Sequence, residues 1–113
     1  MPRQRRALIR RGDVWDAAIP VIGNHPVVVV TRDRAIPLLS RVVCVLVTST
    51  FHHHVAEVAL GRDEGLTRDC AANCDNLFTV PVACLTRHRG HLGFTKLAQL
   101  DTALTIALGL DHK

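Results

Sequence analysis

The sequence has no tyrosine, one tryptophan and only 4% aromatic residues, so valine, leucine, isoleucine and alanine must build its interior. No apolar run reaches the roughly 18 residues that a membrane helix needs, and the first residues lack the long apolar stretch of a signal peptide. Internal repeats and low-complexity segments are absent as well. For a chain of 113 residues, these absences predict one folded cytoplasmic domain with no membrane association.

Positive charge is concentrated in a few short stretches. The net charge is +4, and many of the basic residues fall in three clusters: Arg3, Arg5, Arg6, Arg10 and Arg11; Arg32 and Arg34; and Arg87, His88, Arg89 and His91. Such clusters attract polyanions, and phosphate contacts supply most of the non-specific affinity for nucleic acid. Charge alone leaves nucleic acid, an acidic protein partner and a solubilising surface open.

Four cysteines are present: Cys44, Cys70, Cys74 and Cys84. Without export signals, buried thiols are expected rather than disulfides. An alternative is a zinc site that combines Cys70 and Cys74 with His88 or His91. The two cysteines are separated by three residues, which differs from the C-x-x-C spacing of strong zinc motifs.

Short apolar runs predict a mainly β (α+β) protein. We predict strands at residues 12–19, 27–31, 42–48 and 54–60 and within 70–82, with loops at residues 20–26 and 61–69. The runs at 27–31 and 42–48 are rich in valine and are expected to be buried on both faces. Leucine and alanine then recur every three or four residues, which predicts an amphipathic helix from an N-cap at Thr95 to a stop at Gly109. The domain is expected to span residues 10–113, after a basic arm at residues 1–9.

Five motifs follow one another in order along the chain. They are Arg10-Arg11-Gly12-Asp13-Val14-Trp15, Gly23-Asn24-His25-Pro26-Val27-Val28-Val29-Val30-Thr31, Val45-Leu46-Val47-Thr48-Ser49, Asn73-Cys74-Asp75-Asn76-Leu77-Phe78-Thr79, and the helix Asp101 to Leu110. Together they strongly resemble the conserved blocks of the MazF/PemK toxin family. The resemblance implies an SH3-like β-barrel with a C-terminal helix, a homodimer with an RNA groove, a cognate antitoxin, and RNA hydrolysis without metal or cofactor.

The resemblance also implies the catalytic residues. In the family, an Arg just before the Pro-Val-Val block and a Thr at the end of the next strand act on the phosphate. Thr48 matches the Thr, whereas His25 stands at the Arg position. An imidazole can give or take a proton near neutral pH, which a guanidinium does not readily do, so we expect His25 to be a general acid or base. The alternative is an exposed polar His25, with Arg32, Arg34 or Arg87 stabilising the phosphate.

Other residues are expected to bind RNA or to pack. We expect RNA contacts from Asn24, Ser49, His52 and Arg87. The resemblance to the family block implies contacts from Asp75 and Asn76 to base edges, and the alternative is that these two residues serve only a local turn. Trp15 is expected to be a core residue rather than a platform for a base. Adjacent histidines in the run His52-His53-His54 point to alternate faces and do not converge on one ion, so the run is interpreted as a polar loop.

Three other functions are alternatives to a ribonuclease toxin. One is a non-catalytic RNA- or protein-binding member of the same fold, inactivated by loss of the family Arg. Another is a gyrase inhibitor that shares the barrel, which is disfavoured because such proteins end in Trp-Gly-Ile and this chain ends in Leu110-Asp111-His112-Lys113. The third is a zinc-stabilised structural module built on Cys70 and Cys74.

Overall fold

Within the part of the chain that the structure describes, six antiparallel strands form one sheet, and a helix follows them. A computed structural model describes residues 8–111 of the chain. The elements are β1 (Asp13–Ile19), β2 (Gly23–Val29), β3 (Arg41–Thr48), β4 (Glu57–Leu60), β5 (Cys70–Pro81), β6 (Leu85–His91) and α1 (Phe94–Ala107). The strand order is β4-β5-β3-β2-β1-β6. The predicted mainly β fold with a C-terminal helix is confirmed.

The sheet carries an apolar core on each face. Alternation along β2 sends Val28 to a core that includes Leu100 and Ala103 of α1, whereas Val27 and Val29 face a second core. All three valines are fully buried, which explains the continuous β-branched run in the sequence. Burying each such side chain contributes on the order of 1.5–3 kcal/mol relative to leaving it exposed.

The sheet curls until its two edges approach each other. A 3-10 turn at Arg62–Glu64 follows β4 and contacts β6. There the backbone at Glu64 and Gly65 lies against Arg89 and Gly90, and neither glycine has room for a Cβ. Gly65 also has a φ of +88°, which favours glycine. This contact between glycines closes the curled sheet into a half-barrel.

The helix ends as predicted but begins differently. The N–H of Gly109, at φ +69°, donates to the carbonyl of Ile106, and the N–H of Leu110 donates to that of Thr105. These two bonds form a Schellman motif, so Gly109 is the predicted stop. The N-cap is Gly93, with no side-chain cap, and the prediction of Thr95 was wrong because α1 already includes it.

Several strand boundaries differ from the predictions. β2 begins at Gly23, so residues 23–26 belong to a strand rather than a loop, because they pair with β1. β4 begins at Glu57, not at residue 54, because a turn occupies residues 55–56. β6 was not predicted, since its charged residues lack apolar alternation. Of the expected arm, residues 1–7 lie outside the described residues, and Ile9 packs in the core.

Within residues 8–111, no helix has the length and apolar character to cross a membrane.

Candidate functional site

Strands β2 and β3 separate at Pro26, and the opening between them forms a site. Their ladder runs from Val29 opposite Cys44 to Val27 opposite Leu46 and stops there. Beyond it, β2 pairs with β1 alone and β3 pairs with β5 alone. Pro26 is the next residue of β2 and has no N–H to donate, which accounts for the end of the ladder.

The opening contains a depression of about 470 Å³. Its polar lining consists of Asn24, His25, Thr48, Ser49, Thr67, Arg68 and Arg89. Four of these were predicted as site residues: Asn24, His25, Thr48 and Ser49. The lining found among residues 8–111 contains two arginines and no carboxylate, so the depression attracts anions.

His25 and Thr48 lie on opposite sides of the opening. Continuing the register of Val27 and Leu46 by two residues places them opposite each other, with both side chains on one face of the sheet. The Thr48 hydroxyl has two long contacts, with the carbonyls of Thr50 at 3.3 Å and Ala71 at 3.5 Å. Both exceed the usual length for a hydroxyl donor, so a bound phosphate oxygen can replace them at little cost.

The two arginines are held differently. Arg89 donates from Nη1 to both carboxylate oxygens of Asp16, at 3.2 and 3.3 Å, and from Nε to the Gly65 carbonyl at 3.2 Å. Its side chain is 16% exposed. Arg68 is exposed, and among residues 8–111 no carboxylate lies within ion-pair distance of it. Arg89 is therefore a fixed cation, whereas Arg68 is an adaptable one.

An irregularity in β6 directs Arg89 into the depression. The register between β1 and β6 shifts where Val14 pairs with Gly90 and Trp15 pairs with His88, which leaves Arg89 as the extra residue of a β-bulge. Such bulges redirect side chains and occur often beside functional sites. On the other side of β1, Asp16 pairs with Pro26. The arginine is thereby tied to the strand that carries His25.

Comparison with known proteins identifies the family. The profile described as "PemK-like, MazF-like toxin of type II toxin-antitoxin system" matches residues 10–108. The chain belongs to this family. It is 38% identical over 104 residues to "Probable endoribonuclease MazF5" of Mycobacterium tuberculosis, covering 90% of this chain and 94% of that protein. It is 34% identical over 85 residues to "Endoribonuclease MazF3" of the same organism, covering 75% and 79%.

Solved structures of this family share the fold. "Mycobacterium tuberculosis toxin MazF-mt6" matches with a TM-score of 0.80 and 28% identity, covering 86% of this chain and 96% of that one. A mycobacterial endoribonuclease solved with its cognate antitoxin matches with a TM-score of 0.81 and 28% identity, covering 90% and 96%. The family resemblance drawn from the five motifs is thus confirmed.

The depression does not include all the residues expected at a MazF/PemK site. Asp75 and Asn76 are exposed on a bulge of β5 beside Leu46, where three extra residues interrupt the pairing with β3. The N–H of Asp75 donates to the Asn73 side chain at 3.1 Å, so this bulge is held locally. Arg87 is exposed on β6, and His52 lies in the loop after β3.

Sequence reasoning missed Thr67, Arg68 and Arg89. Arg89 was recognised only as part of a basic cluster, because simple alternation does not distinguish it from Arg87 when bulges are present. Arg68 lies in a loop whose sequence gives no indication of the neighbouring strand ends. Trp15 is 6% exposed and packs in the core, as predicted.

The cysteines lie within the sheet and its cores. Cys44, Cys70 and Cys74 are buried, Cys84 is half-buried, and all four are free thiols. Burial raises the pKa of Cys44 to about 12; burial and the nearby Asp75 charge raise that of Cys74 to about 11. Cys70 and Cys74 are four positions apart on β5, roughly 13 Å at strand spacing. Within residues 8–111, no three metal-binding side chains form a cluster.

Proposed function

We propose that this chain is the toxin of a type II toxin–antitoxin pair and an endoribonuclease that acts in the depression between β2 and β3. Family membership and the names of its relatives support RNA cleavage. The observation that carries the proposal is the placement of His25 and Thr48 on opposite sides of one opening lined by two arginines. This arrangement combines a proton carrier, a hydroxyl donor and cations at one phosphate-sized site.

The reaction begins with attack of the 2′-hydroxyl of RNA on the adjacent phosphate, which leaves a 2′,3′-cyclic phosphate and a 5′-hydroxyl. His25 transfers a proton to or from a reacting oxygen as general acid or base. Among residues 8–111, no hydrogen bond or ion pair occupies its imidazole, which leaves both ring nitrogens available. Thr48 donates its hydroxyl to a phosphoryl oxygen as negative charge develops there.

Arg89 supplies positive charge to the same phosphate. Its Nε and Nη1 are occupied by Gly65 and Asp16, and its Nη2 has no partner among residues 8–111. A guanidinium that is already fixed stabilises a developing charge without reorganising. Arg68 is exposed and has no ion-pair partner among residues 8–111, and it attracts the RNA backbone towards the opening.

The remaining predicted contacts bind the RNA on either side of the cut. Asn24 and Ser49 act inside the depression, and Asp75 and Asn76 present amide and carboxylate groups to base edges from the bulge of β5. His52 and Arg87 extend the contacts outside the depression. Sequence selectivity arises from unstacked bases of a single-stranded or loop RNA, and the 2′-hydroxyl excludes DNA.

An antitoxin and a second copy of the chain complete the proposed assembly. One relative has been solved in complex with its cognate antitoxin, and an acidic antitoxin segment complements a depression that contains two arginines. For the homodimer, an apolar groove of about 510 Å³ includes the exposed residues Leu39, Val43 and Leu108. Toxin and RNA meet in the cytoplasm, where cleavage of the target arrests translation and growth.

The proposal is tested by incubating purified protein with total cellular RNA in EDTA and mapping new 5′-hydroxyl ends. His25→Ala and Thr48→Ala are compared with Thr102→Ala, a control on the exposed surface of α1. We expect discrete ends with the wild type and the control, and a loss of about 100-fold or more in each site variant.

Three results would count against parts of this proposal. Absence of cleavage by the wild type, with RNA binding retained, would favour a non-catalytic binder. Full cleavage by His25→Ala would remove the acid–base role of His25 and leave the arginines and Thr48 as the catalytic groups. Cleavage that is lost in EDTA and restored by a divalent cation would overturn the metal-independent reaction.

A further inference from the structure

Two histidines of the run His52-His53-His54 contact a buried carboxylate, so the run is not simply an exposed polar loop. His52 and His54 both contact Glu57, whose side chain is 1% exposed, while the ring of His53 packs on Phe51 with centroids 4.3 Å apart. His53 has a φ of +62°, in the left-handed region, so the chain turns at this residue, and the first and third histidines meet at one carboxylate.

Glu57 holds the loop mainly by accepting hydrogen bonds from the loop's backbone N–H groups. One carboxylate oxygen, Oε1, accepts the N–H of His52 at 2.9 Å, and the N–H of His54 lies 3.5 Å from the same atom. The other, Oε2, lies 3.3 Å from Nδ1 of His52. His54 Nδ1 in turn accepts the N–H of Ala56 at 3.2 Å, and the Ala56 carbonyl accepts from Cys74 on β5. The whole segment is thereby fastened to β4 and β5.

This fastened segment leads directly into the depression. Ser49 lines the depression, and the Thr48 hydroxyl contacts the carbonyl of Thr50 in the same loop. The loop between Ser49 and Ala56 has no regular secondary structure of its own, so Glu57 and its histidines supply much of its order. The Thr50 carbonyl that borders the Thr48 hydroxyl belongs to this loop, so the carboxylate of Glu57 helps to hold the groups next to Thr48 and Ser49.

Among the described residues, those on the α1 side of Glu57 are uncharged. The residues of α1 that lie near it are Thr95, Ala98, Gln99, Thr102 and Ala103, and none carries a charge. Among residues 8–111, His52 and His54 are thus the titratable side chains that face the carboxylate. Both oxygens of this buried carboxylate contact one loop. A side chain with fewer acceptor atoms therefore replaces it poorly.

We infer that Glu57 is a positioning residue for RNA cleavage, which acts by fastening the loop of residues 49–56 so that Thr48 and Ser49 face the scissile phosphate. The inference rests on the proposed function. Glu57 has no contact with the depression itself, so its effect must pass through the loop. The contacts of Glu57 with His52 and His54 form a clasp on this loop. RNA binding depends chiefly on the arginines and survives loss of the clasp, whereas the reaction rate falls.

The test replaces the carboxylate by an amide of the same shape. In Glu57→Gln, one of the two acceptor oxygens becomes an NH₂ donor and the negative charge is lost, so the side chain can no longer accept at both the Oε1 and the Oε2 positions. We expect kcat to fall by about tenfold or more with KM changed less than about threefold. Hydrogen exchange at residues 49–56 should accelerate by at least about tenfold, with β3 and β5 unchanged.

A matched control comes from a second buried glutamate. Glu64 is 5% exposed and accepts one N–H, that of Gly61 at 2.7 Å, with a single oxygen. Glutamine provides the same acceptor at this position, so Glu64→Gln should retain kcat, KM and loop protection. His54→Ala is a second test of the clasp, because it leaves the carboxylate in place but removes the acceptor for Ala56. It should lower kcat and accelerate exchange in the same direction.

The outcomes separate this inference from the proposed function. A wild type that cleaves RNA, together with a folded Glu57→Gln variant of unchanged kcat, overturns the inference alone. If Glu57→Gln fails to fold, an unchanged kcat in His54→Ala overturns it instead. No cleavage by the wild type removes the proposed function and this inference together.

Discussion

Gly65 and Arg89 contact each other twice, once through backbone and once through a side chain. The Arg89 carbonyl occupies the space in which a Cβ of Gly65 would lie, and the Arg89 Nε donates to the Gly65 carbonyl at 3.2 Å. The contact that closes the half-barrel therefore also fixes the arginine of the depression. We therefore expect stability and RNA binding to be coupled at this point.

Gly65→Ala is expected to destabilise the protein by at least about 2 kcal/mol, because the φ of +88° is strained for alanine and the new methyl group overlaps the Arg89 carbonyl. Chemical denaturation measures the change. The control is Gly93→Ala, where the Cβ meets nothing within 4 Å, and its cost should stay below about 1 kcal/mol. Equal effects of the two substitutions would show that the close approach at Gly65 contributes little.

Arg89→Gln should weaken RNA binding in a salt-dependent way. The slope of log affinity against log salt is expected to decrease in magnitude by about 0.7, the value for one phosphate contact on a single strand. The measurement uses RNA with 2′-O-methyl groups, which blocks cleavage during titration. Arg41→Gln, at the opposite end of β3 from Thr48, is the control and should keep the wild-type slope. An unchanged slope in Arg89→Gln would show that Arg89 does not contact a phosphate.

Glu57 should make stability depend on pH below 4.5. Burial raises the pKa of this carboxyl, but hydrogen bonds from His52 and His54 and the charge of His54 outweigh burial and lower it below 4.5. The folded state therefore binds the proton less readily than the unfolded chain, so the stabilisation is complete above pH 4.5 and is lost as pH falls through the lowered value. Denaturation of wild type and Glu57→Gln at several pH values should show a difference that shrinks on acidification. A constant difference would contradict this linkage.

The cysteines should differ strongly in reactivity. At pH 8, a thiol with a pKa of about 12, such as Cys44, is ionised in about one molecule in ten thousand, and burial also blocks access. We expect iodoacetamide to modify the half-buried Cys84 well before Cys44 or Cys74 in the folded protein. Peptide mass mapping at increasing times gives the order. Labelling of Cys44 at the rate of Cys84 would indicate frequent opening of the core.

Part of the site was predictable because some local patterns are independent of the rest of the fold. The valine runs of β2 and β3 predicted buried strands, Gly109 predicted the end of α1, and the motif blocks located His25 and Thr48. β6 was not predictable in this way: its residues Leu85–His91 are mostly polar, and pairing with β1 rather than burial makes them a strand.

Local periodicity and motif order were enough to predict the family, the mainly β fold with its C-terminal helix, and two candidate catalytic positions. What surrounds those positions depends on contacts between distant parts of the chain. The depression brings together residues that lie dozens of positions apart in the sequence. Three features do this: the separation of β2 and β3 at Pro26, the bulge at Arg89, and the close approach of Gly65 to Arg89. Likewise, Glu57 gathers His52 and His54 because curling of the sheet buries its carboxylate, and a buried carboxylate must find hydrogen-bond donors.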